Sequence, residues 1–179
     1  MQRKPELEHT VLHPNLLVRL FSRLKMAIAV RLAGLRKEDL ILDFGCGAGW
    51  LKENLKKKGY RAAGYDIIQE TSDVIDYTVL RPDKIFVLDV FEHMPADEIR
   101  RHIRAFKRMR PGFELIAGIP TENWLSRKAR KLLGKTERAQ GHITPLKDIL
   151  AILSSEMKQV GKFNFLTVSL IAKFRDVPA

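Results

Sequence analysis

Leu40-Ile41-Leu42-Asp43-Phe44-Gly45-Cys46-Gly47-Ala48-Gly49-Trp50 is the stretch on which the reading of the chain turns. Its first half, LILDFG (40 to 45), is a short apolar run of the kind that forms a parallel strand buried on both faces. Glycines at 45, 47 and 49 then let the backbone turn sharply and approach a ligand closely, because no Cβ obstructs it. Residues 49 to 58 read as a helix stopped by Gly59, whose first turn offers unpaired N–H groups to an anionic group. RAAGYDI (61 to 67) reads as a second strand ending in an acid, so the unit is a right-handed βαβ crossover.

Outward from this unit the chain alternates. Residues 15 to 33 predict a helix with Asn15 as N-cap and Gly34 as its stop, its Leu17, Leu20, Leu24, Ile28 and Leu32 able to pack inward beside a stripe of Arg19, Arg23 and Arg31. Residues 68 to 82 are the least legible, with a short strand conceivable at Val74 to Tyr77. KIFVLDVF (84 to 91) is a buried strand, 96 to 110 an amphipathic helix stopped by Pro111-Gly112, and FELIAGIP (113 to 120) another strand. A basic helix is expected at 122 to 133 and a loop at 134 to 142. Thr144-Pro145 is expected to open a helix to about 158, with Thr144 as N-cap. The tail KFNFLTVSLIAKF is too short for a crossover between its halves and predicts an antiparallel pair. The whole is α/β with a mainly parallel sheet.

The 179 residues predict one domain: an N-terminal helix at about 15–33, a core at about 40–120 and a substrate-side and C-terminal β region at about 121–175. Hydrophobic residues at 45% and charged residues at 30% exclude a disordered, collagen-like or disulfide-stapled chain. The single cysteine, Cys46, cannot form an intramolecular disulfide, no Cys/His cluster has zinc-ligand spacing, and no metal is expected. The charged start MQRKPELEHT lacks the apolar region of a secretory signal and no 18 apolar residues run together, so a cytoplasmic protein without an integral membrane segment is expected. Lys+Arg 32 against Asp+Glu 21 leaves +11, compatible with an anionic partner or with a lysine-rich solvated surface.

Asp66 follows the glycine turn by roughly 20 residues, the place where an acid in a nucleoside-binding fold accepts hydrogen bonds from ribose hydroxyls. Gly45-x-Gly47-x-Gly49 lacks the third glycine of the G-x-G-x-x-G pyrophosphate fingerprint. With LDFGCGAG as a first motif, Asp66 in GYDI as an acidic second motif, FVLDVFEHMP at the fourth strand and GHITPLKDILAIL before a β-rich tail, residues 15 to 175 resemble the class I S-adenosylmethionine-dependent methyltransferases. The resemblance implies a Rossmann-like sheet and S-adenosylmethionine as cofactor. It implies that the turn after Phe44, with Gly45, Cys46 and Gly47, wraps the methionine part, and that Asp43 organises the loop or the amino group. Asp66 would bind ribose, Ile67 would lie against adenine, and Leu88 and Asp89 would flank the sulfonium. Only 17 residues separate Asp66 from Lys84, shorter than the family usually has for a helix, a third strand and an adenine-binding acid. Asp73 and Asp76 are read either as substitutes for that acid or as solvated loop residues.

Methyl transfer from a sulfonium is an in-line displacement that depends on positioning. His93 is the titratable residue placed to act as a base, or else a helix-entry residue that orders its loop. His142 either faces substrate or lies in a surface loop. Cys46 is read as a part of the turn, not as a nucleophile. The basic runs Arg100 to Arg110 and Arg127 to Arg138 are read as solvated faces, with an RNA-tracking surface or a membrane-surface face as alternatives. The function expected is methylation of an oxygen, nitrogen or carbon of a small-molecule or lipid-like acceptor. A non-catalytic cofactor-binding partner and an RNA methyltransferase are the alternatives.

Overall fold

A computed structural model describes residues 15–121 and 141–177. The predicted basic helix at 122 to 133 and nearly all of the loop after it lie outside the described residues. The elements are α1 (Leu16–Ala33), β1 (Leu40–Phe44), α2 (Trp50–Lys57), β2 (Arg61–Tyr65), β3 (Lys84–Leu88), α3 (Ala96–Met109), β4 (Glu114–Pro120), α4 (Leu146–Glu156), β5 (Lys158–Phe165) and β6 (Ser169–Arg175). The strands form one sheet in the order β2-β1-β3-β4-β6-β5. The β2, β1, β3 and β4 strands run parallel, with Asp43 opposite Gly64 on one side and Phe86 on the other. The last hairpin is antiparallel and returns β6 against β4.

Both faces of β1, β3 and β4 are covered, which is why they read as continuous apolar runs, whereas the edge strand β2 is only partly buried. On one face Leu42, Phe44, Ile85, Val87, Leu115 and Ala117 pack against Ile99, Ile103 and Phe106 of α3 and Ile149, Ile152 and Leu153 of α4. On the other, Ile41, Phe86, Ile116 and Ile171 meet Ala29 and Ala33 of α1 and Leu51 and Leu55 of α2.

The first helix corrects one expectation. Asn15 caps it as predicted, accepting the Leu17 N–H at 2.9 Å, and Gly34 closes it at φ 61°. Its buried stripe, however, is Val18, Ser22, Lys25, Ala29 and Ala33. Leu17, Leu20 and Leu24 point outward with 64%, 59% and 48% of their surface exposed, while Ile28 and Leu32 flank the core. Small residues allow α1 to approach the sheet closely, and the leucine row is turned from it.

The shortened third-strand region is present as expected, without the strand conceived at Val74 to Tyr77. Residues 68 to 82 carry two 3₁₀ turns, Gln69–Thr71 and Tyr77–Val79, and β2 is the sheet edge. Tyr77 fills the space beside β1, its ring 5.1 Å from Phe44 and 4.8 Å from Tyr65, with its hydroxyl 2.7 Å from Nδ1 of His102. Thr144 does not cap α4 either. Its hydroxyl donates to the Met94 carbonyl at 2.6 Å, and Pro145 takes the cap position.

Candidate functional site

Parallel strands joined by right-handed crossovers leave their ligand crevice beyond the carboxyl ends of the strands. Here that edge carries the turn after Phe44, the acid after β2 and the Leu88-Asp89 step after β3. Gly45, Gly47 and Gly49 adopt φ of 75°, 52° and 73°, a region that L side chains rarely enter. A Cβ on Gly45 would stand 2.4 Å from Cγ2 of Val90, so that glycine is also required for packing. The Gly45 and Cys46 N–H groups both donate to the Tyr65 carbonyl, at 2.7 and 3.0 Å. The Gly47 N–H donates to Oδ2 of Asp66 at 2.8 Å, and the Ile68 N–H to Oδ1 at 3.0 Å. Asp66 is thereby fixed, 7% exposed, with the second acceptor position of each oxygen not taken by these bonds. Its own backbone is held by Ser72, whose Oγ accepts the Asp66 N–H at 2.7 Å and donates to its carbonyl at 2.9 Å.

Asp43 lies beneath the turn, 4% exposed. Burial pushes its carboxyl up to about 7, against the lowering pull of the Lys52 N–H, which donates to Oδ2 at 3.2 Å. Burial likewise pushes the Cys46 thiol up to about 12, with the neighbouring Asp43 adding to it, and Sγ sits 3.6 Å from the Thr71 carbonyl. A thiol held protonated in this way is a poor nucleophile, in line with its reading as part of the turn.

Two lysines that the sequence did not single out organise the crevice. Lys52, on α2, is 6% exposed and threads its stem past Gly49 and Gly64, where added Cβ atoms would lie 2.7 and 2.5 Å from it. Its ammonium donates to the Thr71 carbonyl at 2.6 Å and pairs with Asp73 at 3.0 Å. Asp73 also accepts the Gly64 N–H and pairs with Lys56, so it staples the 68 to 73 segment to β2 and α2. Asp76 caps its own turn, accepting from the Thr78 N–H and hydroxyl. Lys25 reaches from α1 to Asp89, which has φ 57° and whose N–H donates to the Gly118 carbonyl at 2.9 Å. The small residues around Lys25 in the α1 stripe were the available signal for its burial.

Ile67 is 81% exposed beside Asp66, and Leu88 packs where Gly118 has no side chain. His93 stands on the 3₁₀ turn Phe91–His93 after β3, with Nδ1 3.1 Å from the Gly141 carbonyl and its ring 4.9 Å from that of His142. The structure therefore brings the two histidines together. On α3 the basic run divides as an amphipathic helix should: Arg101, Arg104 and Arg108 are exposed, and Lys107 pairs with Glu156. The second run, Arg127 to Arg138, lies outside the described residues. Among the described residues no helix is long and apolar enough to cross a membrane.

A family model described as a methyltransferase domain matches residues 17–154. No curated protein sequence matches the chain. Solved structures of similar fold include magnesium protoporphyrin IX methyltransferase from Synechocystis with bound SAH, at 19% identity, TM-score 0.64, and coverage of 92% of this chain and 89% of that one. The PH0226 protein of Pyrococcus horikoshii aligns at 14% identity and TM-score 0.70, over 89% and 92%. The 1,6-didemethyltoxoflavin-N1-methyltransferase of Burkholderia thailandensis, with its substrate and S-adenosylhomocysteine bound, aligns at 13% identity and TM-score 0.63, over 88% and 79%. At these identities the likeness is one of fold.

Proposed function

The chain belongs to the methyltransferase-domain family, and we propose that it binds S-adenosylmethionine at the carboxyl edge of β1, β2 and β3 and methylates a small-molecule or lipid-like acceptor. The observation that carries this reading is the Gly47 N–H on the Asp66 carboxylate, which makes the glycine turn and the acid one preformed unit. The residues fit the group. Asp66 retains acceptor positions for two ribose hydroxyls, and exposed Ile67 offers an apolar face to adenine. Gly45, Cys46 and Gly47 turn without side chains crowding the ligand, and Asp43 lies beneath them for the amino group. Leu88 and Asp89 close the crevice at β3, with Lys25 holding Asp89 in place.

The cofactor supplies a methyl group on a sulfonium. When bound, its sulfonium would give up that methyl group to a lone pair of the acceptor, leaving the thioether behind. The protein's share is alignment and exclusion of water. His93 serves the acceptor: a carbonyl can only accept, so Nδ1 donates to Gly141 and Nε2 is the ring nitrogen left to meet the acceptor. A cytoplasmic setting suits the single, non-disulfide Cys46.

The short 68 to 82 segment supports a second reading, cofactor binding without transfer, since it supplies no strand beyond β2. Incubation with methyl-labelled S-adenosylmethionine and fractionated small-molecule extract separates the two. Label appearing in an extract compound supports transfer, and binding without any labelled product supports the second reading. An RNA arm titrated at about 50 and 200 mM salt tests the remaining alternative, because phosphate tracking loses orders of magnitude in affinity over that range. Weak RNA binding at the higher salt is expected.

A further inference from the structure

We propose that Glu92, His93 and His142 form a binding site for one divalent transition-metal ion, with Zn²⁺ the best match. One ligand atom from each of the three lies within 4.8 Å of those of the other two. Two imidazoles and one carboxylate are a donor set that binds zinc with a coordination position left open, and the same set suits ferrous iron.

The surroundings resemble those of a built site. Glu92 is 2% exposed, His142 half-buried and His93 exposed, so the ion would have a dry side and a solvent-facing side. His93 donates Nδ1–H to the Gly141 carbonyl at 3.1 Å, the outer-shell contact that fixes a ligating imidazole's tautomer and leaves Nε2 for the metal. The two segments that supply the ligands are joined by backbone bonds. The Ile143 and Thr144 N–H groups donate to the Glu92 carbonyl at 2.7 and 3.2 Å, and the Thr144 hydroxyl donates to the Met94 carbonyl at 2.6 Å. That joint explains why Thr144 leaves the α4 cap position. Glu92 and His93 follow β3, while His142 precedes α4, so no local sequence spacing reveals the group.

The site follows Asp89 on the crevice edge. Its role rests on the methyltransferase reading, whereas ion binding itself does not: the open position would hold an acceptor oxygen, polarise it and ease loss of its proton to solvent. His93 is then a ligand in place of a base.

The test uses the full chain without an affinity tag, stripped by chelator and titrated with Co²⁺ followed by visible absorption, with Zn²⁺ as competitor. One equivalent per chain is expected, with binding at least tenfold weaker in His93→Ala and in His142→Ala. Absence of a cobalt spectrum, or one unchanged in both variants, overturns the proposal. A second measurement needs no variant: one equivalent of Zn²⁺ should raise the melting temperature of the wild-type chain, and Mg²⁺ at the same concentration should not. No rise with Zn²⁺ overturns the site. Calorimetry with S-adenosylhomocysteine on the stripped protein keeps the two claims apart. Heat of binding with no metal uptake removes the metal site and leaves the methyltransferase reading; metal uptake with no heat retains the site and removes its acceptor role.

Discussion

The Gly47 N–H donates to Oδ2 of Asp66 at 2.8 Å, joining the turn after β1 to the acid after β2 across two parallel strands. The bond is short, and a carboxylate accepting from a backbone N–H is a charge-assisted contact of about twice the usual strength. It aligns the two motifs whether or not a ligand lies between them.

Gly47→Val should abolish binding of S-adenosylhomocysteine while leaving a folded chain. At φ 52° a β-branched residue is an outlier, and the strain falls on the turn and not on the core. Calorimetry paired with circular dichroism reads both quantities, and retained affinity would place the ligand elsewhere.

If Asp43 meets the cofactor's amino group as proposed, cofactor affinity should depend on pH. Its carboxyl is raised by burial to about 7, so it is largely protonated in the empty protein below that pH. A ligand ammonium group favours the ionised form, and affinity should therefore rise as pH increases through about 7. Asn at this position should flatten the profile between pH 6 and 8. A wild-type profile that is already flat would separate Asp43 from the amino group.

Glu114 anchors the amino end of the sheet. Burial alone would raise its carboxyl, but Lys84, Arg175 and Lys173 surround it and hold it down at about 2. A carboxyl lowered on folding stabilises the protein above its ordinary value of 4.5, and that contribution is lost as pH falls from there towards 2. Glu114→Gln, which leaves three cations without their carboxylate, should cost about 3 kcal/mol in urea melts at neutral pH. The variant should also lose less stability than wild type on acidification. Equal acid sensitivity would contradict the assignment.

The fold was legible where period and punctuation agree. LILDFG, KIFVLDVF and FELIAGIP read as buried strands and supply β1, β3 and β4, although β3 ends at Leu88 and Phe91 opens a 3₁₀ turn, and Asn15 and Gly34 bracket α1 as expected. The phase of α1 was not legible, because its leucines outweigh the small residues on any hydropathy reading, whereas close approach to the sheet selects Ala29, Ala33 and Ser22. In the candidate site, spacing and the family resemblance singled out the glycine turn and Asp66, and the structure brings Gly47 and Asp66 into hydrogen-bond contact. Lys52 was not singled out: a lysine on a short polar helix reads as surface, and only the absence of Cβ atoms at Gly49 and Gly64 makes room for its stem. The pairing of His93 with His142 depends on a backbone joint between segments distant in sequence, and no local pattern encodes it.

The most direct test of the account is calorimetric titration of S-adenosylhomocysteine into the wild-type chain and into Asp66→Ala, with thermal melts of both. Loss of charge-assisted bonds to ribose should cost about 1.5–3 kcal/mol of binding, a weakening of about tenfold to a hundredfold, with one site per chain in the wild type. The melting temperature of the ligand-free variant should fall far less than its affinity. Ligand at 100 times its dissociation constant should add about 2.7 kcal/mol of stability to the wild type; equal affinity in the two proteins, or no heat and no thermal shift in the wild type at about millimolar ligand, would contradict a cofactor site at the glycine turn and Asp66.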